Sequence, residues 1–424
     1  MKKINQILEE VSKKVKLSEN DLKEIEISLK EFFKKLDKKI KSSKLDVEVF
    51  IGGSFAKKSM INKKMYDVDI YIRFHKRYEN ISELTKKLLS NFNATLIHGS
   101  RDYFRIKISS KIIFEIIPVI KIKKPEEAKN ITDLSYFHVN YIKKKLKIKR
   151  ITDEILIAKT FCHANQCYGA ESYINGFSGY ALELLIYHYG SFLKFIKAVS
   201  KIKDKDAKIV IDTEKHFKNK QEILMNLNNS KLQSPIIFID PTYKQRNVLA
   251  ALSHETFEKF KRTCKEFLKN PNMKFFEERK IDLEKIKKNA KLTGKELILI
   301  ELKTNKQKGD IAGSKLLKFY NHLRNEISKY FEIKKLGFEY NDEKFAKCFF
   351  VVRRKKEILS KGPKTNDKKN LNRFKKKHKS SFVKSGRIYA KKKINFSVND
   401  FIKAWKMKNK KLMKEMSMVE LKII

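Results

Sequence analysis

Residues Phe50 to Phe74 read FIGGSFAKKSMINKKMYDVDIYIRF and set the organisation of the chain. β-branched and apolar residues at both ends of this segment predict two strands with a short helix between them. Gly52 and Gly53 allow a tight backbone turn, and Ser54 is expected to cap the short helix. The N–H groups of the helix would then face an anion, so the turn is expected to hold a phosphate group.

Two aspartates follow on the second strand. Side chains alternate in direction along a strand, so Asp67 and Asp69 are expected on one face and Val68 on the other. Two neighbouring carboxylates repel each other unless a cation lies between them. A hard divalent ion with oxygen ligands, such as Mg²⁺ bound together with substrate phosphates, is the cation that this arrangement favours.

A third carboxylate is available in the segment KIIFEIIPVI, residues 111–120. Glu115 stands alone in a run of Ile, Val and Phe, where burying an unpaired acid is costly. A two-metal mechanism for phosphoryl chemistry needs shared carboxylates, so Glu115 is predicted to join Asp67 and Asp69 as catalytic residues and metal ligands. Each of these elements alone is commonly structural, and only their order along the chain indicates a nucleotidyl-transfer site.

The pattern of Gly-Ser, Asp-x-Asp and a later acid resembles the nucleotidyltransferase superfamily related to DNA polymerase beta. Three segments resemble signatures of archaeal-type (class I) CCA-adding tRNA nucleotidyltransferases, and the strong resemblance covers roughly residues 1–275. These segments are GGSFAKKSM from Gly52, YGAESYINGFSGYALELLIYHYGSF from Tyr168 and IDPTYKQRNVLAALS from Ile239. The family commonly has Asp as the third acid, where this chain has Glu115.

The resemblance implies an α+β fold with three domains. Residues 1–135 would form a polymerase-beta-like nucleotidyltransferase head with a mixed sheet. Residues 136–275 would form a helical central domain that completes the nucleotide pocket. Residues 276–424 would form an α+β body of the ferredoxin or RRM type, with a basic C-terminal tail, that binds tRNA.

The resemblance also implies template-independent addition of CCA to the 3′ end of tRNA, with CTP, ATP and two Mg²⁺ ions. Ser54 and Lys57 would contact the triphosphate. Further nucleotide-binding residues carried over by motif are His138, Lys159, Tyr168 and Arg246. Arg246 also draws attention by itself, because its planar fork of donors can bind phosphate or a base edge bidentately. A poly(A) polymerase, an oligoadenylate-synthetase-like enzyme and an inactive RNA-binding relative remain as alternatives.

The composition agrees with a nucleic-acid partner. The chain has 424 residues and a formal net charge of +49, which would attract a polyanion, and its 41% hydrophobic content is that of a folded protein. Residues 353–393 hold 18 Lys or Arg against two acids, with Phe374, Phe382 and Tyr389 among them. This segment is predicted to form an ordered surface that holds an RNA backbone.

The four cysteines lack zinc-site spacing and are predicted to be free thiols. The N-terminal residues MKKINQILEE contain charges where a signal peptide would be apolar, and no window reaches the length of a membrane span. A cytoplasmic location is therefore expected. The oligomeric state stays open, with a homodimer as one alternative.

Hydrophobic periodicity predicts the remaining elements. Two amphipathic helices within residues 2–41 are expected to cover the head sheet, and the apolar run of residues 177–196 is expected to be one buried helix. From Leu297 a strand, a helix and two strands are expected, followed by a final helix from Val398 to about Met416. Elements predicted between these are a helix at 81–89, strands at 94–98, 103–108 and 111–119, and helices at 131–146 and 151–164.

Overall fold

The structure is a computed structural model in which the chain forms two compact units, Met1–Arg279 and Lys280–Ile424. Each unit contains hydrophobic core clusters of its own. The predicted division into 1–135, 136–275 and 276–424 remains a prediction. The structure describes residues 2–99, 101–145, 149–202, 208–278, 282–341, 343–378 and 380–424.

The first unit mixes helices and strands along its whole length. Its helices are α1 (Lys2–Lys14), α2 (Glu19–Ser43), α3 (Gly53–Ala56), α4 (Ile81–Leu88), α5 (Ser135–Lys145), α6 (Lys149–Ala164), α7 (Gly179–Tyr189), α8 (Phe192–Ser200), α9 (Lys220–Asn226) and α10 (His254–Lys269), with 3₁₀ turns at Pro125–Glu127, Ile131–Leu134 and Met273–Phe276. Its strands are β1 (Val47–Ile51), β2 (Tyr66–Phe74), β3 (Thr95–Ile97), β4 (Tyr103–Lys107), β5 (Ile112–Ile120), β6 (Ile209–Ile211), β7 (Ile236–Asp240) and β8 (Tyr243–Asn247). The predicted helix end at Leu146 lies outside the described residues.

The head sheet has the order β1-β2-β5-β4-β3. Strands β2 and β5 are parallel, and the other neighbours are antiparallel, so the predicted mixed sheet is confirmed. On β2, Val68, Ile70 and Ile72 are fully buried. They share a core with α2, whose apolar residues recur at helical spacing at Ile25, Leu29, Phe32 and Leu36.

Only one of the two N-terminal helices covers this sheet. The buried side of α1, with Ile4, Ile7 and Val11, belongs instead to the core of the helical part of the unit, together with Ile155 of α6. The prediction that both helices cover the head sheet is therefore wrong for α1. An amphipathic pattern shows that a helix has a buried face, but it does not identify the partner of that face.

The helical part of the first unit holds an aromatic core that includes Phe161, Phe177 and Phe260. The predicted single helix of residues 177–196 is two helices, α7 and α8. Gly190 ends α7 in the left-handed conformation, with φ of 76°, and Ser191 caps α8. Besides the predicted helices this part contains a small sheet of order β6-β7-β8.

The described part of the second unit begins with a helix, and both strands and helices follow. Its helices are α11 (Leu283–Leu292), α12 (Asp310–Tyr330), α13 (Lys368–Lys377), α14 (Val398–Lys408) and α15 (Lys410–Glu415). Its strands are β9 (Glu296–Thr304), β10 (Phe331–Tyr340), β11 (Phe345–Arg354), β12 (Glu357–Lys364), β13 (Ser381–Lys384), β14 (Arg387–Lys393) and β15 (Met418–Ile423). The predicted order of strand, helix, strand and strand from Leu297 is confirmed by β9, α12, β10 and β11.

The main sheet of this unit has the order β10-β11-β9-β15. The predicted final helix is two short helices, and the chain then forms β15 beside β9, a strand that the sequence analysis does not predict. The basic segment forms a second sheet, β12-β14-β13, with α13 between its strands in sequence. Within the described part of the chain, no helix combines the length and the apolar character needed to cross a membrane.

Candidate active site

The three predicted carboxylates lie on one face of the head sheet. Along β2, Asp67 and Asp69 are half-buried and alternate with buried apolar residues. The parallel register places Asp69 directly beside Glu115 of β5. Arg105 of β4 is the antiparallel partner of Glu115 on its other side. Because neighbours in register point to the same face of a sheet, Glu115 shares the face of both aspartates.

The carboxylates perturb one another. Burial, together with the charges of Glu115 and Asp67, raises the pKa of Asp69 to about 7, against the opposing effect of Lys57. Burial and the nearby charge of Asp67 also raise the pKa of Glu115, although Arg105 opposes this. The carboxylates on this face therefore repel one another when they are ionised, and a bound cation would relieve that repulsion.

Protein cations contact two of these acids in the structure. Lys63 Nζ donates to Asp67 Oδ2 over 2.7 Å, and Arg105 Nε donates to Glu115 Oε1 over 2.8 Å. Among the described residues, no three His, Cys, Asp or Glu side chains are grouped closely enough to hold a metal ion as they stand. The donor set itself, three carboxylates on one face, is of the kind that hard divalent cations bind.

The glycine turn packs against this face. Gly52 N donates to the backbone oxygen of Asp69 over 2.9 Å. Gly53 has φ of +56°, and it begins the single-turn helix α3. The expected capping by Ser54 is wrong, because Gly52 occupies the N-cap position, with no side-chain cap bond, and Ser54 lies inside the turn. Two successive glycines let the helix begin two residues earlier than the serine pattern suggests.

A buried ionic network follows the turn. Glu183 of α7 accepts from Lys57 Nζ over 2.6 Å and from Ser59 Oγ over 2.6 Å. Lys159 Nζ of α6 donates to Glu183 Oε1 over 2.9 Å and to Ser59 Oγ over 2.8 Å. Burial lowers the pKa of Lys57, against the opposing charge of Glu183. Lys57 and Lys159, both predicted to bind the nucleotide, are thus joined through one carboxylate.

A second ionic cluster contains His138 and Arg246. Asp240, at the end of β7, accepts from Arg246 Nη1 over 2.7 Å and lies 3.0 Å from His138 Nε2. Burial would raise the pKa of Asp240, but the hydrogen bond with His138 and the charges of His138 and Arg246 lower it. An ionised carboxylate can only accept, so the proton of this contact is assigned to His138 Nε2. Tyr180 donates to Asp240 Oδ1 over 3.1 Å and stacks on His138 with ring centroids 4.2 Å apart.

This second cluster retains an unused donor. The Nε atom of Arg246 is buried and has no hydrogen-bond partner among the described residues. A buried donor without a partner is costly, and an acceptor atom of a ligand would satisfy it. Lys57 Nζ lies 5.8 Å from the centroid of the Tyr180 ring, as does Arg246 Cζ. Tyr180 is therefore shared by the two clusters.

Tyr168 lies near the buried ionic network of Glu183, Lys57 and Lys159. Its ring stacks on His163 with centroids 3.9 Å apart. A β-carbon on Gly179 would lie 2.8 Å from the Tyr168 hydroxyl and 3.7 Å from Lys159 Nζ. The absence of a side chain at Gly179 thus leaves the Tyr168 hydroxyl and the Lys159 ammonium group beside the start of α7.

Several residues that hold these clusters together are not predicted from the sequence, chiefly Glu183, Asp240 and Arg105. Glu183 carried a usable signal, because it is a lone acid in the apolar run YALELLIY, as Glu115 is in its strand. Asp240 likewise ends the apolar run IIFID. Arg105 has no such signal, since its role follows only from the pairing of β4 with β5.

Comparisons with known proteins agree with this architecture. Residues 153–277 match a family model described as tRNA nucleotidyltransferase, second domain. The chain is 34% identical over 363 residues to a CCA-adding enzyme of Nanoarchaeum equitans, covering 84% of this chain and 87% of the relative. It is 27% identical over 402 residues to a CCA-adding enzyme of Methanocaldococcus jannaschii, covering 91% and 87%.

A solved structure of a cytoplasmic RNA terminal U-transferase superposes on this chain with a TM-score of 0.52 at 14% identity. The match covers 66% of this chain and 100% of that one. At so low an identity the likeness concerns the fold alone. The chain therefore contains the fold of nucleotidyltransferases.

Proposed function

The chain belongs to the family of CCA-adding enzymes, and we propose that Asp67, Asp69 and Glu115 are the carboxylates with which it carries out that reaction. The enzyme adds C, C and A to the 3′ end of tRNA from CTP and ATP without a nucleic-acid template. In each addition the terminal 3′ oxygen of the tRNA forms a bond to the α-phosphorus of the nucleotide. The bond from that phosphorus to the β-phosphate oxygen breaks, the hydroxyl proton is lost, and pyrophosphate leaves.

Nucleotidyltransferases of this kind generally use divalent metal ions. We propose two Mg²⁺ ions, held by Asp67, Asp69 and Glu115. The fit rests on the donor set, because three carboxylates share a face and two of them have raised pKa values through burial and mutual repulsion. When bound, such ions lower the pKa of the attacking hydroxyl and neutralise the charge of the leaving pyrophosphate. Lys63 and Arg105 would have to release the acids that they contact.

The remaining predicted residues are proposed to bind different parts of the nucleotide. Lys57 and Lys159 supply ammonium groups for the triphosphate, and Tyr168 supplies a hydroxyl beside Lys159. Ser54, on the glycine turn, also contacts the triphosphate. These assignments are proposals, supported by the location of all four residues in or beside the turn and its buried ionic network.

The second cluster is suited to the base. Arg246 donates to Asp240 through Nη1, and its buried Nε atom has no hydrogen-bond partner in the part of the chain that the structure describes. His138 is oriented by the same carboxylate through Nε2, so its other ring nitrogen is the acceptor of a neutral imidazole. Fixed polar groups of this kind discriminate bases by the donor and acceptor atoms on the base edge, so we assign the choice between C and A to Arg246 and His138.

The tRNA is proposed to bind the basic segment of the second unit. Helix α13 has the sequence KKNLNRFKKK, and the strands around it carry exposed lysines. Phe382 and Tyr389 stack on one another across β13 and β14 with centroids 6.0 Å apart. An ordered basic surface suits recognition of an RNA backbone by shape and charge. A homodimer and a cytoplasmic location remain predictions.

The observation that carries the proposal is the register that places Glu115 beside Asp69 on the face shared with Asp67. The test uses tRNA transcripts that end before, within and after CCA, each incubated with one labelled nucleotide at a time. We expect two additions from CTP and then one from ATP, after which extension stops. Continued incorporation of A would instead identify a poly(A)-type polymerase, and no incorporation with Mg²⁺ or Mn²⁺ would identify an inactive RNA-binding relative.

A further inference from the structure

Glu183 is a fully buried acid in the middle of an apolar helix. Its neighbours from Ala181 to Ile186 on α7 are buried as well, and its side chain has no exposed surface. A carboxylate in such a place is strongly destabilising unless it is paired and hydrogen-bonded. A hydrophobic residue would fold this helix at least as well, so the acid requires another explanation.

The explanation lies in what Glu183 contacts. One oxygen accepts from Lys57 over 2.6 Å, and the other accepts from Lys159 over 2.9 Å and from Ser59 over 2.6 Å. Lys57 and Ser59 follow the glycine turn of the head, whereas Lys159 lies on α6. A single carboxylate thus fixes two ammonium groups that come from distant parts of the chain.

We infer that Glu183 is a positioning residue that holds Lys57 and Lys159 at the triphosphate subsite and ties the glycine turn to α6 and α7. This inference rests on the proposed function. Glu183 itself touches no substrate and acts through the two lysines. The ligand that it prepares for is the polyphosphate chain, which CTP and ATP share, and not the base.

The charges of the network support this role. Burial would raise the pKa of Glu183, but Lys159 and Lys57 together lower it to about 2, so the carboxylate is ionised. Two ammonium groups share this one carboxylate in a buried location, and the charge of Asp69 on β2 also acts on Lys57. The charge of Glu183 acts on the Tyr168 hydroxyl group as well. Among the described residues Lys57 Nζ donates a hydrogen bond to Glu183 alone, so it keeps donors for a phosphate oxygen.

The test replaces Glu183 by Gln, which keeps the size of the side chain and removes its charge. kcat and KM are measured for CTP with tRNA that lacks CCA, and for ATP with tRNA that ends in CC. We expect KM to rise by about tenfold or more for each nucleotide, and by similar factors, because charge-assisted hydrogen bonds to the lysines are lost. The KM for tRNA should not change. An unchanged nucleotide KM, or a rise for only one nucleotide, overturns the inference.

A matched control separates this effect from the loss of a buried ion pair. Asp133 is also fully buried and pairs with Arg101 over 3.0 Å. Asp133→Asn is expected to lower the melting temperature and to leave nucleotide KM values unchanged. If Asp133→Asn raises the nucleotide KM as much as Glu183→Gln does, the effect is one of general stability and the inference fails.

A double-mutant cycle tests whether Glu183 acts through Lys57. Lys57→Met alone is expected to raise the nucleotide KM. Adding Glu183→Gln should raise it further by a smaller factor than in the natural background, because only the contact with Lys159 is then left to lose. Multiplicative effects would mean that the two residues act independently, which overturns the inference. If Glu183→Gln does not fold, Glu183→Asp takes its place, because it keeps the charge but retracts it by one methylene. An Asp variant with the natural KM then overturns the inference, and a raised KM supports it.

The activity of the natural enzyme distinguishes a failure of the proposed function from a failure of the role of Glu183. If it adds no nucleotide to tRNA, the proposed function fails. If it adds CCA and the variants keep the natural nucleotide KM, only the role of Glu183 fails.

Discussion

Gly53 packs directly on Asp69, so that a β-carbon on Gly53 would lie 1.6 Å from Asp69 Oδ2. The backbone is also in the left-handed region at this residue, with φ of +56°. Both the space and the conformation therefore require glycine. The contact joins the turn proposed to hold the triphosphate to a proposed metal ligand.

Gly53→Ala should abolish nucleotide addition, because the new methyl group displaces Asp69 or the turn. The backbone strain alone costs about 1 kcal/mol. Gly190→Ala is the matched control, since Gly190 has φ of +76° and a β-carbon there would meet only Lys194 Nζ at 4.0 Å. We expect the control to lower the melting temperature slightly and to retain activity. Equal activity losses in the two variants, measured with labelled CTP, would contradict this account.

Glu115 is expected to be essential through its charge. Glu115→Ala should lower kcat by on the order of 10³-fold, because one shared metal ligand is lost. Glu115→Asp restores the acid that the family commonly has and should retain measurable activity. Single-turnover incorporation of CTP with Mg²⁺ and with Mn²⁺ is the measurement. An active Glu115→Ala variant would remove this residue from the proposed catalytic group.

Arg246→Lys should impair both nucleotides and reduce discrimination between them. Lysine keeps the positive charge, but it lacks the planar guanidinium group that donates to Asp240 and to a base edge at the same time. We expect kcat/KM to fall by roughly 10- to 100-fold, with misincorporation at the third addition. Arg262→Lys on the exposed side of α10 serves as the control. Unaltered fidelity in Arg246→Lys would argue against the assignment of base recognition.

Acid should destabilise the first unit through His163. Burial, with smaller effects of Lys63 and Lys159, lowers the pKa of His163 from 6.5 to about 4. The unfolded chain therefore binds a proton first as the pH falls, so the stability due to neutral His163 is complete above about pH 6.5 and is lost toward pH 4. The loss amounts to about 2–3 kcal/mol. Urea titrations between pH 7.5 and 4.5 should show a weaker pH dependence for His163→Gln, and parallel curves would refute this.

The basic helix α13 should contribute to tRNA affinity through phosphate contacts. Replacing Lys375, Lys376 and Lys377 by Gln is expected to weaken binding at low salt. It should also reduce the slope of log K against log salt by about 2 to 3, if each lysine contacts one phosphate. The same replacement of exposed lysines on α2, at Lys34, Lys35 and Lys38, should change the slope less. Equal slopes for both triple variants would exclude α13 as a specific tRNA contact.

Sequence patterns predicted the strands and helices around the proposed site because those patterns are local. Alternation along β2 separates Asp67 and Asp69 from Val68, and the structure has this arrangement. The resemblance to the family supplied His138 and Lys159, which no local pattern would have distinguished. The capping role of Ser54 failed because the conformation of two glycines outweighed a common capping preference.

Long-range pairing was beyond the reach of these patterns. Nothing in the local sequence of α1 indicated that Val11 would pack with α6 instead of the head sheet. The partners of Glu183 are more than a hundred positions away at Lys57 and Ser59. Such contacts depend on how elements meet in space, and a single sequence reveals only that a buried acid needs a partner.

Strand β15 gives the second unit an unusual order of assembly during synthesis. Met418 to Ile423 pair with β9, whose own residues end at Thr304, so the outer neighbour of this strand is synthesised long after it. Until β15 has emerged from the ribosome, β9 has an uncovered edge with unpaired backbone groups. A nascent chain of this enzyme should therefore be prone to aggregate through β9 until β15 is in place.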